Sequence, residues 1–358
     1  MNIKKSKIYI LLVMLLLLTS GCWDNRDINH RVMPVVLGVS KESEEEYKAY
    51  LQVPILQEDG IKTQIITGVG KTINEIVDKT SANLESNVDL LHIKVIVIDR
   101  AFAEEGVKDL ISGIMRSREI PSKALVAICE EDMDEFFKKM SQVELSDGTA
   151  LLDYFEKNAG WNPQIALTRV WHVYRSIHSY TKDVAIPIIR LGESTLIEQA
   201  GSAVIKNGAM LDEINSDETL LYNAFQGMSA HGKIEVLDEG SVLILDNGLN
   251  FASRLENELP ILTLELQLEV MILEVKGDPT IEKIEKELEK LLKPRFENMI
   301  TKLKDSEADI LGIGQLFRKE IPRAQLKDWR SKYYPNLKFN LTVDVTIQNS
   351  GNLKEPGE

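Results

Sequence analysis

Cys22 directly follows Leu18-Thr19-Ser20-Gly21. A thiol placed after a leucine and small residues at the end of an export signal can be alkylated by a diacylglyceryl group. The preceding residues supply the rest of such a signal: Lys4, Lys5 and Lys7 give a charged start, and Ile8 to Leu18 form an apolar core of 11 residues. That core is too short to cross a ~30 Å hydrocarbon layer as a stable helix. The expected processing is cleavage between Gly21 and Cys22, which frees the cysteine amine for a further acyl chain. Two or more acyl chains, at roughly 0.8 kcal/mol per buried CH2, hold a soluble body on a membrane essentially permanently. The alternative is an ordinary signal peptide whose cysteine later enters a disulfide. Lipidation is the reading adopted, and the lipid on Cys22 is then the only added group, with no cofactor.

Other chemistry is sparse. Thr67-Gly68-Val69-Gly70-Lys71-Thr72 has the second half of a phosphate-binding loop, but the glycine required five residues before Gly70 is replaced by Ile65. A turn followed by a capped helix accounts for the segment, and no nucleotide is expected. The five histidines are His30, His92, His172, His178 and His231. They include no His-Glu-x-x-His pair and no Cys/His spacing suited to zinc, so no metal is expected. His92 precedes a buried-looking strand, while His172 and His178 read as packed or surface positions on a helix. No Gly-x-Ser-x-Gly elbow and no Ser-x-x-Lys nucleophile is expected, and no catalytic residue is assigned. Paired carboxylates are too common in so acidic a chain to discriminate anything.

The elements that must position these residues begin almost directly after the signal. The chain has 358 residues with formal charge −14. Removing residues 1–21, which hold three lysines and no acid, leaves 337 residues and a charge of −17. That balance argues against nucleic acid and against lying flat on anionic lipid. The length exceeds what one ordinary core fills, so two or three domains are expected. The tether, residues 22–31, reaches at most about 35 Å when extended and keeps the body near the bilayer.

Alternation and β-branched content predict strands at Val32–Val39, Tyr47–Leu56, Leu90–Asp99 and Ala124–Ile128. The last of these runs into Cys129, read as a buried apolar thiol. Helical spacing follows the capping box Thr72-Ile73-Asn74-Glu75 and recurs at Val107–Arg116, Leu145–Asn158 and Val170–Tyr180. An N-terminal α/β domain therefore spans 32–193. From Leu196 the pattern changes, with short strands around Gln199–Ile205 and Met210 and a capped helix at Ser216–Phe225, giving a middle domain at 194–256. The C-terminal domain, 257–349, opens with a strand at Ile261–Val275. Leu262, Leu264, Leu266 and Leu268 share one face of it. A helix from Ile281 carries Ile284, Leu288 and Leu292 on one stripe, and Pro294 should kink or divide it. Ile310–Phe317 reads as helix, Phe339–Ile347 as the closing strand, and the tail 350–358 as disordered. The fold class is α/β (α+β), with mixed sheets and packed helices.

Four separated segments resemble the Ger(x)C lipoproteins, the C subunits of nutrient-germinant receptors of endospore-forming bacteria. They are Gly21-Cys22-Trp23-Asp24, Leu91-His92-Ile93-Lys94-Val95 with its following strand, Gly201–Gly208, and Ala308-Asp309-Ile310-Leu311-Gly312-Ile313-Gly314 with Trp329 downstream. Their order spans essentially the whole mature chain. Ile205 and Ile313 stand where the family often has phenylalanine, and Asp27 where glutamate is frequent. The resemblance implies a three-domain ectodomain tethered to the outer face of the spore inner membrane. It also implies membrane-embedded A and B subunits as partners, a role in spore germination, and no catalytic activity. Trp23, His92, Lys94, Asp309, Gly312 and Gly314 are its signature positions, expected to be structural: Asp309 as a cap for the following helix, Gly312 and Gly314 for close packing. The alternative function is a solute-binding lipoprotein feeding a transporter, which would need two similar lobes around a cleft.

Overall fold

The computed structural model describes residues 31–349 except 58–59, 143–149, 157–161, 194, 229 and 278. Gly21, Cys22, Trp23, the rest of the signal and tether up to residue 30, and the tail 350–358 lie outside the described residues.

A two-stranded parallel pair, β1 (Arg31–Val32) and β5 (Asn87–Val88), flanks a sheet of eight strands. That sheet is centred on four parallel strands: β2 (Val36–Lys41), β6 (Val95–Asp99), β7 (Leu125–Cys129) and β8 (Val184–Leu191). Antiparallel hairpins extend it on both sides. β3 (Tyr47–Gln57) and β4 (Gly60–Gly70) join beyond β2, while β9 (Ile197–Lys206) and β10 (Ala209–Ile214) join beyond β8. The central strands read as unbroken apolar runs because both faces are covered. Ile96, Ile98, Val126 and Ile128 face one core with α1 (Ile73–Ala82), α2 (Arg100–Glu105), α3 (Lys108–Ser117) and α6 (Val170–Ile177). Val95, Val97, Ala127 and Cys129 face the other, with α4 (Met133–Gln142) and α5 (Ala150–Glu156). Cys129 is fully buried there, as expected, and burial pushes its thiol up to about 12.

The second sheet has four strands, β11 (Ile234–Leu237), β12 (Gly240–Glu256), β13 (Leu259–Val275) and β14 (Lys338–Asn349), in that order. Its apolar face, including all four leucines from Leu262 to Leu268, packs in one core with Ile284, Leu288, Leu292, Phe296 and Met299 of α8 (Ile281–Asp305). The mixed α+β class is as expected. α7 (Ser216–Phe225) has the expected cap, with Asn215 accepting from Glu218 N–H and Glu218 accepting in return.

Several local expectations change. α8 runs unbroken through Pro294, which lies on the exposed face. There the Lys290 carbonyl, deprived of its donor, can turn to water, while packed residues on the opposite face hold the axis. Leu90–His92 is a 3-10 turn rather than strand, because the Asp89 carboxylate accepts from Leu91 N–H at 2.9 Å and β6 starts only at Val95. Gly68 and Gly70 belong to β4 rather than a turn. A Cβ on Gly68 would stand 2.7 Å from Ile76 Cγ2, so these glycines let α1 lie close on the strand. Hydrogen bonding also crosses the boundaries drawn at 193 and 256. β9 and β10 complete the first sheet, and 256/257 falls at the tip of the β12–β13 hairpin, whose strands pair over their whole length. The change of pattern near Leu196 marks a switch from parallel to antiparallel pairing within one sheet.

Candidate functional site: a buried polar joint and its cavity

The segment Ser179–Asp183 leads from α6 into β8, and the segment Ala308–Gly314 leaves α8. They meet through one backbone and one side-chain hydrogen bond. Asp183 N–H donates to the Asp309 carbonyl at 2.8 Å, and Asp309 N–H donates to Asp183 Oδ2 at 2.9 Å. Neither aspartate has any exposed surface. Arg330 neutralises Asp183 with a two-pronged contact, Nη2 to Oδ1 at 2.6 Å and Nε to Oδ2 at 2.9 Å, and its Nη2 also donates to the Ser179 carbonyl at 2.7 Å. Such a fork matches a carboxylate in plane and satisfies it where water cannot.

Among the described residues Asp309 makes no ion pair and accepts from three donors. Ile313 N–H reaches Oδ1 at 2.8 Å, while Gly314 N–H at 2.7 Å and Trp329 Nε1 at 2.9 Å reach Oδ2. Burial pushes its pKa up to about 6, and the two backbone donors and the indole pull against that rise. It is therefore an anion at neutral pH. Burial likewise raises Asp183, with Arg330 acting in the opposite direction.

The turn geometry depends on both glycines. Gly312 has φ +74°, the left-handed region that favours glycine. A Cβ on Gly314 would lie 2.6 Å from Trp329 Nε1 and 2.7 Å from Cε2. Trp329 and Arg330 sit on a single π-helical turn, Trp329–Tyr333, which presents both to the interior, with Trp329 stacked on Phe317 at 5.3 Å.

Beside the joint opens a cavity of about 910 Å³, lined from the first sheet's side by α6, the Ser179–Asp183 segment and Val184, and from the other by the end of α7, Gln315, Arg318 and Arg323. Lys182 donates to Gln226 Oε1 at 2.7 Å, and Gln226 Nε2 donates to the Leu311 carbonyl at 3.0 Å. Burial and the neighbouring Arg175 lower the Lys182 pKa. His172 Nδ1 accepts from Arg169 N–H at 3.2 Å, and burial takes its pKa down to about 4, so it is uncharged at neutral pH.

The structure thus brings together Asp309, Gly312 and Gly314. Asp309 does bond the first-turn amides of the following 3-10 segment, Ile313–Lys319, but the close packing of Gly314 is against the Trp329 indole rather than a sheet. His92 and Lys94 lie elsewhere, both exposed ahead of β6; His92 stands near enough to Asp89 to act on its charge, and the Lys94 backbone bonds Val35 and Leu125. Asp183 and Arg330 were not anticipated. The available signals were an aspartate opening the apolar run Val184–Ile189 and an arginine beside a tryptophan. Ser179 and Lys182 do stand at Ser-x-x-Lys spacing, although no such nucleophile was expected. The segment is not helical: Ser179 Oγ accepts from Thr181 N–H at 3.3 Å and Lys182 turns to Gln226, so the two do not form a nucleophile pair. Among the described residues no group of three or more His, Cys, Asp or Glu could hold a metal ion.

A mixed-sheet α+β body whose two parts are pinned by a buried Asp–Asp–Arg joint defines the architecture to be placed. The family model described as "Spore germination protein N-terminal domain" matches residues 24–191, and that described as "Spore germination B3/ GerAC like, C-terminal" matches residues 200–351. Together they take in most of the chain, which belongs to the Ger(x)C family of spore germination proteins. Spore germination protein KC of Bacillus subtilis (strain 168) is 20% identical, with 99% of this chain and 98% of that protein covered. The crystal structure of the GerBC protein shares the fold, with a TM-score of 0.57 at 15% identity, covering 87% of this chain and 97% of that one. Asp183 lies in the N-terminal match and Asp309 and Arg330 in the C-terminal one, so the joint ties the two family domains together.

Proposed function

We propose that this protein is a lipid-anchored, non-catalytic subunit of a nutrient-germinant receptor, acting in spore germination by assembling with membrane-embedded A and B subunits. The observation that carries the reading is the match to both spore germination domains over nearly the whole chain. Membrane attachment comes from Cys22, through diacylglyceryl and N-acyl groups, on the outer face of the spore inner membrane. No helix among the described residues is long and apolar enough to cross a membrane, which fits attachment by lipid. The short tether holds the body against the bilayer, and the −17 charge disfavours adsorption to anionic lipid, so a protein partner sets its orientation. The rival solute-binding reading asks for two similar lobes, whereas an eight-stranded and a four-stranded sheet flank the joint.

The test is affinity purification of a functional tagged chain from gently solubilised spore membranes, with Cys22→Ala as the comparison. Recovery of two membrane proteins with the lipidated chain, and release of the variant into the soluble fraction with slower nutrient-triggered germination, is the expected result. Full germination from an unlipidated, freely soluble chain refutes the anchoring; recovery with transporter ATPase components refutes the assembly.

A further inference from the structure

The cavity beside the joint is electropositive in a chain that carries 56 acidic and 42 basic residues. Four permanent or near-permanent cations line it: Arg175, Lys182, Arg318 and Arg323. None of the four makes an ion pair among the described residues. Arg175 lies over the Trp171 ring at 5.0 Å, Lys182 and Arg318 each donate to a neutral glutamine oxygen, and Arg323 reaches the cavity from an exposed position. The one carboxylate in the lining, Asp183, is already taken by Arg330. Elsewhere surface cations find partners readily, as Arg100 does with Glu104, Glu130 and Glu213.

Lys182 feels the buried Asp309 carboxylate, which offsets it in part. Cations that outnumber their counter-charges around a concave space repel one another, and the arrangement gains from an anion that enters. Guanidinium groups favour planar, two-oxygen anions. The walls are not purely polar, since Tyr174, Tyr222 and Leu326 contribute to them. An organic body would bury against these, which a bare inorganic ion cannot do. The volume is within the range of small-molecule sites, roughly 300–1,000 Å³.

We propose that the cavity between the first sheet and the C-terminal region binds a small organic carboxylate, its carboxylate held by Arg318, Arg323, Arg175 and Lys182 and its apolar body against Tyr174, Tyr222 and Leu326. This goes beyond the assembly reading and does not depend on it. A ligand here touches both family domains, next to the contacts that pin one to the other.

The experiment uses the full chain in detergent micelles, titrated with benzoate by calorimetry and ligand-observed NMR, with benzamide and inorganic phosphate as comparison probes. Benzoate is expected to bind saturably at one site, more weakly as salt rises, and about tenfold or more tighter than benzamide. The Arg318→Gln/Arg323→Gln variant alters only exposed side chains. It should keep the wild-type unfolding midpoint and weaken benzoate about tenfold or more. The proposal is overturned if benzoate does not saturate, if benzamide binds equally well, if the double variant binds benzoate like the wild type, or if phosphate binds more tightly than benzoate.

Discussion

Arg330→Met isolates the energetic core of the joint. Methionine keeps an unbranched chain of similar reach but removes both donors to Asp183 and the one to the Ser179 carbonyl. Asp183 has no exposed surface, so the variant must bury a carboxylate whose remaining donor is Asp309 N–H, or protonate it. Removing one partner of a buried pair costs about 3–5 kcal/mol, several times the ~1 kcal/mol of a surface pair. Urea unfolding followed by tryptophan fluorescence and far-UV circular dichroism reads this directly. Asp183→Asn and the double variant complete a cycle, with a coupling of about 2 kcal/mol or more expected.

The pH dependence gives an independent check. A carboxyl whose folded pKa is raised stabilises fully below its unfolded pKa, and that contribution is lost as pH rises through the folded value. Burial already raises Asp183 in the wild type and Arg330 opposes the rise, so deleting the guanidinium lifts the folded pKa further. The deficit of Arg330→Met is therefore largest at neutral pH and shrinks as pH falls and the buried carboxyl takes up a proton. A loss under about 1 kcal/mol, the level of an exposed pair, or a loss that does not change with pH, would refute the reasoning.

The remaining predictions concern the same joint and the core beneath the first sheet. Gly314→Ala should destabilise by about 1–3 kcal/mol or more, because its Cβ meets the rigid, buried Trp329 indole at 2.6 Å. Gly312→Ala should lose only about 1 kcal/mol in urea titrations, since its cost is the φ of +74° while the nearest atom, Lys182 Cδ, belongs to a flexible chain. Asp309, raised to about 6 from an ordinary 3.8, takes up close to one extra proton on folding between those values. Its contribution is lost as pH rises through about 6, and Asp309→Asn should flatten the plot of stability against pH there by up to about 1.4 kcal/mol per pH unit. Cys129, fully buried with its thiol pushed to about 12, should react with a thiol reagent only as fast as the chain opens; rapid labelling of the native protein would contradict its burial.

What could be read from the sequence divides along a physical line. The leucines of β13 and the stripe of α8 were legible because each repeats at the period of its own element, and burial of one face enforces that period. β4 was not, because Gly68 and Gly70 look like turn residues until Ile76 is known to press on them. Asp309, Gly312 and Gly314 stood out through resemblance to a family, but the partners that surround them did not stand out. Asp183 and Arg330 are separated by 147 residues, and Asp183 and Asp309 by 126. No window of helix or strand length contains such a pair. A single charge in an acidic chain looks like solvated surface, and only the partners reverse that reading, because a carboxylate without donors to its oxygens could not be buried so deeply. The partner is fixed by topology. Pairing of β8 with β7 and β9 places Asp183 at the start of its strand, and packing of α8 on the second sheet places Asp309 just beyond its helix. The joint can close only where both sheets have set these positions.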